Sequence, residues 1–328
     1  MGNASLKKIA VLTSGGDAPG MNAAIRAVVR TANYHKIECV GVRGGYTGLI
    51  EGNFTKMGPR SVSNIINLGG TILRSARSKE FRTEEGRQKA FEQCQKNGID
   101  ALVCIGGDGT FTGAKIFAEE FGVKVIGVPG TIDNDIYGTD FTIGYDTALN
   151  TAMEAIDKIR DTATSHNRVF FIEVMGRDAG FIALNSGIAS GALDILIPEK
   201  KDSLEDLFET FEKAQKRGKT SSIVIVAEGE RLASTYELAE QTKQRFPDYD
   251  IRVSILGHIQ RGGAPSCADR VLASRMGYGA VVGLMKGLTN VMSALSSKAL
   301  VFTPIEDAIK KHNEINQDLL QIAEILAM

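Results

Sequence analysis

Residues 100–111, DALVCIGGDGTF, join an apolar run of strand length to a turn rich in glycine. The run is typical of a buried strand, because it is short and contains aliphatic and β-branched residues. A second run of this kind, within residues 123–136 (VKVIGVPGTIDNDI), ends in a turn with two aspartates around one asparagine. Continuous apolar strands of this length are typical of parallel sheets, whose two faces are both covered by helices.

The same pattern extends along most of the chain. Further apolar runs of strand length are KIAVLT, IECVGV, RVFFIEV, SSIVIVA and RVSIL, and longer segments with helical periodicity fall between them. This alternation predicts an α/β protein with mainly parallel sheets, and 328 residues are enough for two domains. Ligands of such sheets bind beyond the carboxyl ends of the strands, so the turns that follow the strands are the candidate sites.

The overall charge is nearly balanced, with 38 Lys and Arg against 39 Asp and Glu and a formal net charge of −1. A protein without a broad cationic field is not expected to have nucleic acid or a membrane as its main partner. No segment approaches the roughly 18 apolar residues of a membrane span. The four cysteines show no CxxC pairing. We therefore expect a cytoplasmic protein with reduced cysteines that meets anionic ligands through local groups.

The first strand is followed by a glycine-rich loop, residues 13–26 (TSGGDAPGMNAAIR), which leads into a predicted helix. Backbone N–H groups at the start of a helix can bind phosphate. The loop matches neither GxxxxGK[ST] nor GxGxxG, so it is neither a Walker A loop nor a dinucleotide-binding loop. By itself it is equally consistent with a simple turn.

Two later turns carry acidic side chains. In IGGDGTF, glycines on both sides of Asp108 let a polyphosphate approach the backbone while the carboxylate acts directly or through Mg²⁺. The alternative is an Asp-Gly turn without a ligand. After the next strand, Thr131, Asp133 and Asp135 are expected to lie beside Asp108. One of these aspartates can accept the proton of an attacking hydroxyl, while the other fixes the geometry or the water shell of the metal.

Six motifs follow one another along the chain: SGGDAPGMNAAIR, GGTILRSAR, IGGDGT, PGTIDNDI, EVMGRDAG and ILGHIQRGG. Together they resemble the bacterial-type ATP-dependent 6-phosphofructokinases, and the similarity extends to about residue 280. The resemblance implies that the γ-phosphoryl group of ATP, with Mg²⁺ as cofactor, is transferred to the 1-hydroxyl of fructose 6-phosphate. The products are fructose 1,6-bisphosphate and ADP.

The resemblance also implies a domain organisation. It predicts two doubly wound, Rossmann-like αβα domains of three layers with mainly parallel sheets, and an active site in the cleft between them. The larger, ATP-binding domain is expected to take residues 1–138 plus about 252–305. The smaller, sugar-phosphate-binding domain is expected to take residues 139–251 plus about 306–328.

The roles of individual residues are carried over by motif. The resemblance implies that Asp133 is the catalytic base and that Asp108, with indirect help from Asp135, governs the metal. The other implied catalytic residues are Arg77, Arg177, Thr131 and Gly15. The implied nucleotide contacts are Gly15, Tyr46, Arg77, Ser78, Gly107, Asp108, Gly109 and Thr110.

The sugar phosphate is expected to be held by arginines and a histidine, because guanidinium groups bind phosphate bidentately. The implied substrate-binding residues are Thr131, Asp133, Asp135, Arg168, Met175, Gly176, Arg177, Glu228, Arg252, His258 and Arg261. In the family, the residues that match Arg168 and Arg252 reach into the site of a neighbouring subunit, so a homotetramer with shared active sites is expected. Without the resemblance, each arginine is as readily a solvated surface charge, and His258 a packed polar residue.

Two glycines bear on the phosphoryl donor. Pyrophosphate-dependent relatives typically have an aspartate where Gly109 stands and a lysine where Gly130 stands. An added carboxylate would repel the α-phosphate of ATP, and a lysine would suit the shorter, more concentrated charge of pyrophosphate. The glycines therefore predict ATP as donor, and a pyrophosphate-dependent enzyme is the nearest alternative.

Regulation is predicted from basic residues at positions that bind ADP or phosphoenolpyruvate in the bacterial family. These residues are Arg26, Arg30, Arg160, Arg217 and Lys219, and the alternative is a salt-bridged helix surface. Three positions depart from the family pattern, with Pro59 for an arginine, Asp194 for a glutamate and Ser221 for a histidine. Asp178 adds an unusual acid beside Arg177, either to steer that arginine or to tune its field.

Two more distant interpretations remain. GGDGT also occurs in NAD kinases and in diacylglycerol or sphingosine kinases, but those lack the combination of GTIDND with HIQRGG. A regulatory subunit that binds nucleotide without turnover would be expected to have lost the base or the arginines, which are all present here.

Overall fold

The computed structural model describes residues 6–166 and 168–327. The strands are β1 (Lys8–Thr13), β2 (Glu38–Val42), β3 (Phe54–Met57), β4 (Ala101–Gly106), β5 (Lys124–Pro129), β6 (Arg168–Val174), β7 (Asp194–Leu196), β8 (Ser222–Ala227), β9 (Asp250–Ile255), β10 (Val291–Ser296) and β11 (Ala299–Pro304). The α-helices are α1 (Met21–Tyr34), α2 (Gly45–Glu51), α3 (Glu84–Lys96), α4 (Asp108–Phe121), α5 (Tyr145–His166), α6 (Phe181–Ser190), α7 (Leu204–Lys216), α8 (Thr235–Arg245), α9 (Cys267–Met285), α10 (Ile305–Lys310) and α11 (Gln317–Leu326). Two 3₁₀ turns cover Glu80–Arg82 and Gly257–Arg261.

The described residues divide into two compact units. Unit 1 takes residues up to 132, then 136–147 and 261–313. Unit 2 takes residues 133–135, 148–260 and those from 314 onward. Every apolar run predicted to be a strand forms one, and the α/β fold class expected from the sequence is confirmed.

Among the described residues, unit 1 contains a seven-stranded sheet in the order β11-β10-β5-β4-β1-β2-β3. The central strands β5, β4, β1 and β2 are parallel, and antiparallel pairs close both edges. Successive strand residues point to opposite faces. Residues such as Leu12 and Leu102 pack with α2, α3 and α4 in one core cluster, while α1 and α9 pack together and against the strands.

Within the described part of unit 2, four parallel strands are arranged in the order β7-β8-β6-β9. Val169, Phe171 and Val224 of this sheet pack with α7 and α8 in a second core cluster. Phe171 and Phe211 are stacked, with ring centroids 6.2 Å apart. Each unit therefore has its own hydrophobic core.

The unit boundaries differ from the expected domain boundaries at four places: residues 133–135 and 252–260 lie in unit 2, and residues 139–147 and 306–313 lie in unit 1. β9 contains residues 252–255 of the RVSIL run, which the sequence analysis assigned to the larger domain, but it pairs in register with β6 of unit 2. α10 packs on α4 of unit 1, although residues from about 306 were assigned to the smaller domain. For β9 and α10, a long-range contact decides which unit the element belongs to, and such contacts leave no local signal in the sequence. None of the helices in the described ranges is long and apolar enough to cross a membrane.

Candidate active site

Three of the predicted loops begin at the same end of the unit 1 sheet. They follow the carboxyl ends of the parallel neighbours β1, β4 and β5. The Ser14 amide donates to the Ile105 carbonyl at 3.0 Å, and the Gly130 amide donates to the Gly106 carbonyl at 3.0 Å. The loop after β1 and the turn after β5 thus start on either side of the turn after β4. This is the juxtaposition of strand ends that the sequence predicted.

The loop after β1 is held to the turn after β4 by Thr110. The Thr110 hydroxyl donates to the Ser14 carbonyl at 3.1 Å, and both side chains are buried. A Cβ at Gly106 would clash with the Thr110 hydroxyl and the Ser14 carbonyl, so the close approach of the two loops requires glycine there. Gly15 follows with φ of +85°, a left-handed conformation that glycine adopts without a side-chain penalty.

Tyr46 supports the turn after β4 from the hydrophobic core. Its ring is 5% exposed and stacks on Phe81 with centroids 4.0 Å apart. Its hydroxyl donates to the Thr110 carbonyl at 2.5 Å, and burial raises the pKa of the phenol well above its ordinary value. The sequence analysis named Tyr46 as a nucleotide contact. In the structure the side chain is enclosed by the core and fixes the position of Thr110 instead.

The GGTILRSAR segment is anchored beside the same sheet edge. Asn22 of α1 donates to the carbonyls of Leu68 and Gly69 at 3.1 Å and accepts from the Ile72 amide at 2.8 Å. The Thr13 hydroxyl, at the end of β1, donates to the Arg74 carbonyl at 2.9 Å. Arg77 is exposed at the end of this anchored segment. The half-buried Ser78 accepts from the Phe81 amide at 3.2 Å.

Sequence reasoning missed Asn22, although it lies in the first motif. The side chain is only 1% exposed, so its hydrogen bonds are made inside the protein. The available signal was a polar residue on the buried face of an otherwise apolar helix. Such a residue needs specific partners, because an unsatisfied buried amide is costly.

Asp108 and the glycines beside it occupy the first turn of α4. Asp108 is the first residue of the helix, and Gly107 precedes it as N-cap. Among the described residues, no atom lies within 4 Å of a Cβ added at Gly109, so the surface above this turn is open. A Cβ at Gly107 would contact the Thr131 Cβ at 3.8 Å, which places the turn after β5 next to this one.

The turn after β5 is buried. Thr131 and Asp133 are 8% and 7% exposed, and Asn134 adopts a left-handed conformation with φ of +56°. The Thr142 hydroxyl donates to the Thr131 carbonyl at 2.7 Å and braces the turn from the following segment. A carboxylate in such a turn is shielded from solvent. Asp135 follows two residues later and is half-buried.

The donor set fits magnesium but not a protein cage for a metal. Within the described ranges there is no group of three or more His, Cys, Asp or Glu side chains placed to hold a metal ion. Mg²⁺ is commonly bound by one or two carboxylates together with phosphate oxygens and water. The open surface above the turn that carries Asp108 suits such a ligand, which would enter with the nucleotide.

In unit 2, the turn after β6 carries Met175, Gly176 and Arg177. Gly176 has φ of +148°, and a Cβ there would clash with the Ala179 carbonyl. Arg177 is in the left-handed region with φ of +56°, a conformation that costs about 1 kcal/mol for a residue with a side chain. Its side chain is 68% exposed, and Asp178 pairs with its Nε at 3.5 Å. This exposed ion pair with Arg177 is the contact that the structure shows for Asp178.

The turn after β8 packs against the turn after β6. The Glu228 amide donates to the Val174 carbonyl at 2.9 Å. A Cβ at Gly229 would clash with the Arg177 carbonyl, so glycine is required where the two turns meet. Glu228 and Arg177, both predicted substrate contacts, are thus brought together.

Arg168 and Arg252 are brought together by a residue that the sequence analysis did not name. Asp250 accepts from Nε of Arg168 at 2.7 Å, and Nη2 of Arg252 lies 3.0 Å from its other oxygen. The hydrogen bond from Arg168, followed by the charge of Arg252, holds the pKa of the Asp250 carboxyl below its ordinary value. No local pattern indicated Asp250, because its pairing with Arg168 depends on the register of β9 against β6.

His258 and Arg261 lie on the 3₁₀ turn after β9, where His258 is exposed and Arg261 is half-buried. Within unit 1, the Arg261 guanidinium donates to the Asp17 carbonyl at 3.4 Å. A Cβ added at Gly16 would lie 2.9 Å from Nη1 of Arg261. Arg261 therefore lies against the loop after β1, where the sequence analysis expected nucleotide phosphates to bind.

Three of the five predicted effector residues form a cationic cluster in unit 2. Burial lowers the pKa of Lys219, and the charges of Arg160 and Arg217 lower it further. Arg160 donates to the carbonyls of Ser190 and Gly191. In unit 1, burial and then the charge of Arg30 lower the pKa of Arg26. Cations that repel one another in this way favour the binding of an anion.

Comparisons with known proteins agree with this organisation. The family model described as phosphofructokinase matches residues 8–284. An ATP-dependent 6-phosphofructokinase of Cytophaga hutchinsonii is 56% identical over 321 residues, which is 98% of each chain. The ATP-dependent 6-phosphofructokinase 1 of Thermus thermophilus is 54% identical over 323 residues, covering 98% of this chain and 100% of the relative.

Solved structures show the same fold. Phosphofructokinase from Saccharomyces cerevisiae superimposes with a TM-score of 0.88 at 37% identity, over 93% of this chain and 45% of the yeast chain. A pyrophosphate-dependent phosphofructokinase from Marinobacter aquaeolei gives a TM-score of 0.84 over 98% of this chain and 91% of its own, but at 22% identity it shows shared fold alone. By the extent of the family match and the identity to full-length relatives, the chain belongs to the phosphofructokinase family.

Proposed function

We propose that the chain transfers the γ-phosphoryl group of MgATP to the 1-hydroxyl of fructose 6-phosphate, giving fructose 1,6-bisphosphate and ADP. Membership of a family whose closely similar curated members are named ATP-dependent 6-phosphofructokinase supports this activity. The structural observation that carries it is the convergence of the loops after β1, β4 and β5 at one sheet edge. Gly106 allows the loops after β1 and β4 to approach each other closely.

In this proposal, Asp133 accepts the proton of the 1-hydroxyl as the oxygen attacks the γ-phosphorus. A base that faces a hydroxyl in a buried turn is shielded from competing water. Asp108, with Asp135 acting indirectly, holds the metal, and bound Mg²⁺ supplies charge that screens the phosphates. The Gly15 amide donates to the phosphate oxygens, and Arg77 and Arg177 stabilise charge on the transferring group.

The remaining nucleotide contacts proposed are Ser78, Gly107, Gly109 and Thr110. Fructose 6-phosphate is held by Thr131, Arg168, Met175, Gly176, Glu228, Arg252, His258 and Arg261. The proposal requires Asp133 and Asp108 to face the same pair of substrates.

Two glycines support ATP as donor. The open surface above Gly109 leaves room for a nucleotide, and an aspartate there would project a negative charge into that room. At Gly130, an added Cβ would lie 3.2 Å from both the Ile105 Cγ2 and the Met21 Cε. A lysine at that position would have to displace these core side chains. Gly109 therefore leaves room for a donor larger than pyrophosphate, and Gly130 leaves little room for the lysine of pyrophosphate-dependent relatives.

The experiment that tests the function is a coupled assay of ADP release by the purified chain. Fructose 6-phosphate is compared with tagatose 6-phosphate and glucose 6-phosphate as phosphoryl acceptors. MgATP is compared with magnesium pyrophosphate as phosphoryl donors, by measuring the formation of the sugar bisphosphate. We expect MgATP with fructose 6-phosphate to give the highest kcat/KM. Faster turnover with pyrophosphate would overturn the choice of donor, and no turnover with any pair would overturn the function.

We also propose a cytoplasmic homotetramer with active sites shared between subunits, regulated by ADP or phosphoenolpyruvate. The cationic cluster of Arg160, Arg217 and Lys219 supports an anionic effector, with Arg26 and Arg30 supplied from α1. A titration with each effector at subsaturating fructose 6-phosphate tests this part. Hyperbolic kinetics that do not respond to either effector would contradict it.

A further inference from the structure

Asp250, Arg168 and Arg252 form a compact charged group on the unit 2 sheet. Arg168 is the first residue of β6 and Asp250 the first residue of β9, and the two are in register as parallel partners. Arg252 follows two residues along the same strand, so its side chain leaves β9 on the same face as Asp250. The backbone of the sheet, rather than a flexible loop, therefore sets the spacing of the three side chains.

A single carboxylate is shared between the two cations. Oδ2 of Asp250 accepts from Nε of Arg168 at 2.7 Å, while Oδ1 lies 3.0 Å from Nη2 of Arg252. Each guanidinium has five N–H donors, and these contacts use only a few of them. Binding Arg168 through Nε restricts the plane of its guanidinium and does not use its two Nη groups. That fork is the geometry that binds a phosphate bidentately.

The charges explain why the carboxylate is needed between the arginines. Two guanidinium groups on neighbouring positions repel each other, and long side chains at the surface explore many rotamers. Asp250 counters both effects, since it offsets the repulsion and restricts both side chains. The group keeps a net charge of about +1, so it still attracts an anion.

We propose that Asp250 is a positioning residue that orients Arg168 and Arg252 toward the phosphate of the sugar substrate. This inference rests on the proposed function, because it takes those two arginines as substrate-binding residues. The side chains of Asp250 and Arg252 are 42% and 56% exposed, and exposed ion pairs contribute little to stability. The pairing therefore has more effect on orientation than on folding, and the two effects can be separated by experiment.

The test uses Asp250→Asn, which keeps the shape of the side chain and removes its charge. We expect the KM for fructose 6-phosphate to rise by about tenfold, since a charge-assisted contact that orients the binding groups is lost. The kcat and the KM for ATP should stay within about twofold of the wild-type values, because no group near the reacting atoms changes. Asp250→Glu restores the charge and should recover part of the loss.

The control is Glu212→Gln, which neutralises an exposed carboxylate that binds Arg245 at 2.8 Å between α7 and α8. It should leave the KM for fructose 6-phosphate unchanged. A KM that is unchanged or lower in Asp250→Asn overturns the inference, and a lower value would mean that Asp250 competes with the phosphate. Failure of the proposed function is distinguishable, because the wild-type protein would then not phosphorylate fructose 6-phosphate at all.

Discussion

Asp133 is the side chain on which the proposed chemistry depends most directly. Replacing it with serine removes the proton acceptor and leaves a small polar group in the turn. We expect kcat to fall by a factor of about 10²–10⁴, the usual effect of a general base, while the affinities for both substrates change little. Steady-state turnover combined with calorimetric titration of each substrate measures the two effects separately.

A nearby surface carboxylate provides the control for Asp133. Asp140 is exposed and accepts from the Ser297 amide at 2.6 Å. Asp140→Asn should leave turnover within about twofold, as is usual for a surface change. Unchanged turnover in Asp133→Ser would remove the assignment of the base.

Asp194 makes the stability of the protein depend on pH. Burial raises the pKa of its carboxyl from 3.8 to about 6, although the Ile195 amide and the charge of Lys200 favour the ionised form. A raised pKa in the folded state means that the contribution of this group to stability is fully present below pH 4 and is lost as pH rises through about 6. Asp194→Asn removes this loss. The stability of the variant relative to wild type should therefore increase by roughly 2–3 kcal/mol between pH 4 and pH 8.

Denaturant unfolding at both pH values measures that increase. Asp206 provides a control of opposite sign, because its hydrogen bonds with Ser203 in the capping box of α7 lower the pKa of its carboxyl. Asp206→Asn should lose nearly the same stability at pH 8 and at pH 4, because the contribution of a carboxyl with a lowered pKa is lost only as pH falls below 3.8. If Asp194→Asn changed the free energy of unfolding equally at both pH values, the pKa of the Asp194 carboxyl would not be raised in the folded state.

The residues that sequence reasoning identified share a local signature. Glycines beside Asp108 and the pair of acids in GTIDND stand out because their type and spacing are unusual at the end of a strand. Tyr46, Asn22 and Asp250 do not stand out in this way. The positions of their side chains depend on partners 50 to 82 residues away along the chain, and only the folded chain supplies those partners.

At the scale of elements, the packing of α1 on α9 depends on Gly277. A Cβ at this position would lie 2.7 Å from the Ala24 carbonyl and 2.8 Å from the Ala27 Cβ. Gly277→Ala should raise helix propensity by about 1 kcal/mol, but forcing the helices apart costs more, typically 1–3 kcal/mol. We therefore expect a net loss of stability in the free energy of unfolding from urea titration.

Gly58 is a suitable comparison for Gly277. Its added Cβ would meet no atom of the described residues within 4 Å, so Gly58→Ala should be neutral or slightly stabilising. A gain of stability in Gly277→Ala would show that α1 and α9 are not held at the distance the structure gives.

The strands differ in how well the sequence predicts them. The buried parallel strands β1, β4, β5, β6 and β8 are continuous apolar runs, so their type and approximate position follow from composition. The three-residue β7 is too short to give such a signal, although two of its residues are buried, and the edge strands β3 and β11 consist mainly of exposed or half-buried residues. Because edge strands bury one face at most, their sequences resemble those of loops.

At the scale of the whole molecule, the proposed reaction uses residues of both units. Asp108 belongs to unit 1 and Glu228 to unit 2. The sequence predicted the existence of two domains from chain length and strand count. It could not predict where the chain crosses between them, because those crossings lie in ordinary loops and within α5.

The proposal of shared active sites can be tested by mixing two defective variants. Asp133→Ser lacks the base, and Arg252→Ala lacks a guanidinium that is proposed to serve the site of a neighbouring subunit. If each site combines the base of one subunit with the arginine of another, some sites of a mixed oligomer contain both intact residues. In a random one-to-one mixture about a quarter of the sites should be complete, as follows from the symmetry of the assembly.

Co-expression with two different affinity tags isolates the mixed oligomers, and activity is measured at subsaturating fructose 6-phosphate. Each pure variant is also co-expressed with both tags, and its activity gives the baseline. We expect the mixed species to exceed the mean activity of the two pure variants and to approach about a quarter of the wild-type rate. Activity equal to that mean would show that Asp133 and Arg252 serve the site of the same chain, and the shared-site assembly would have to be abandoned.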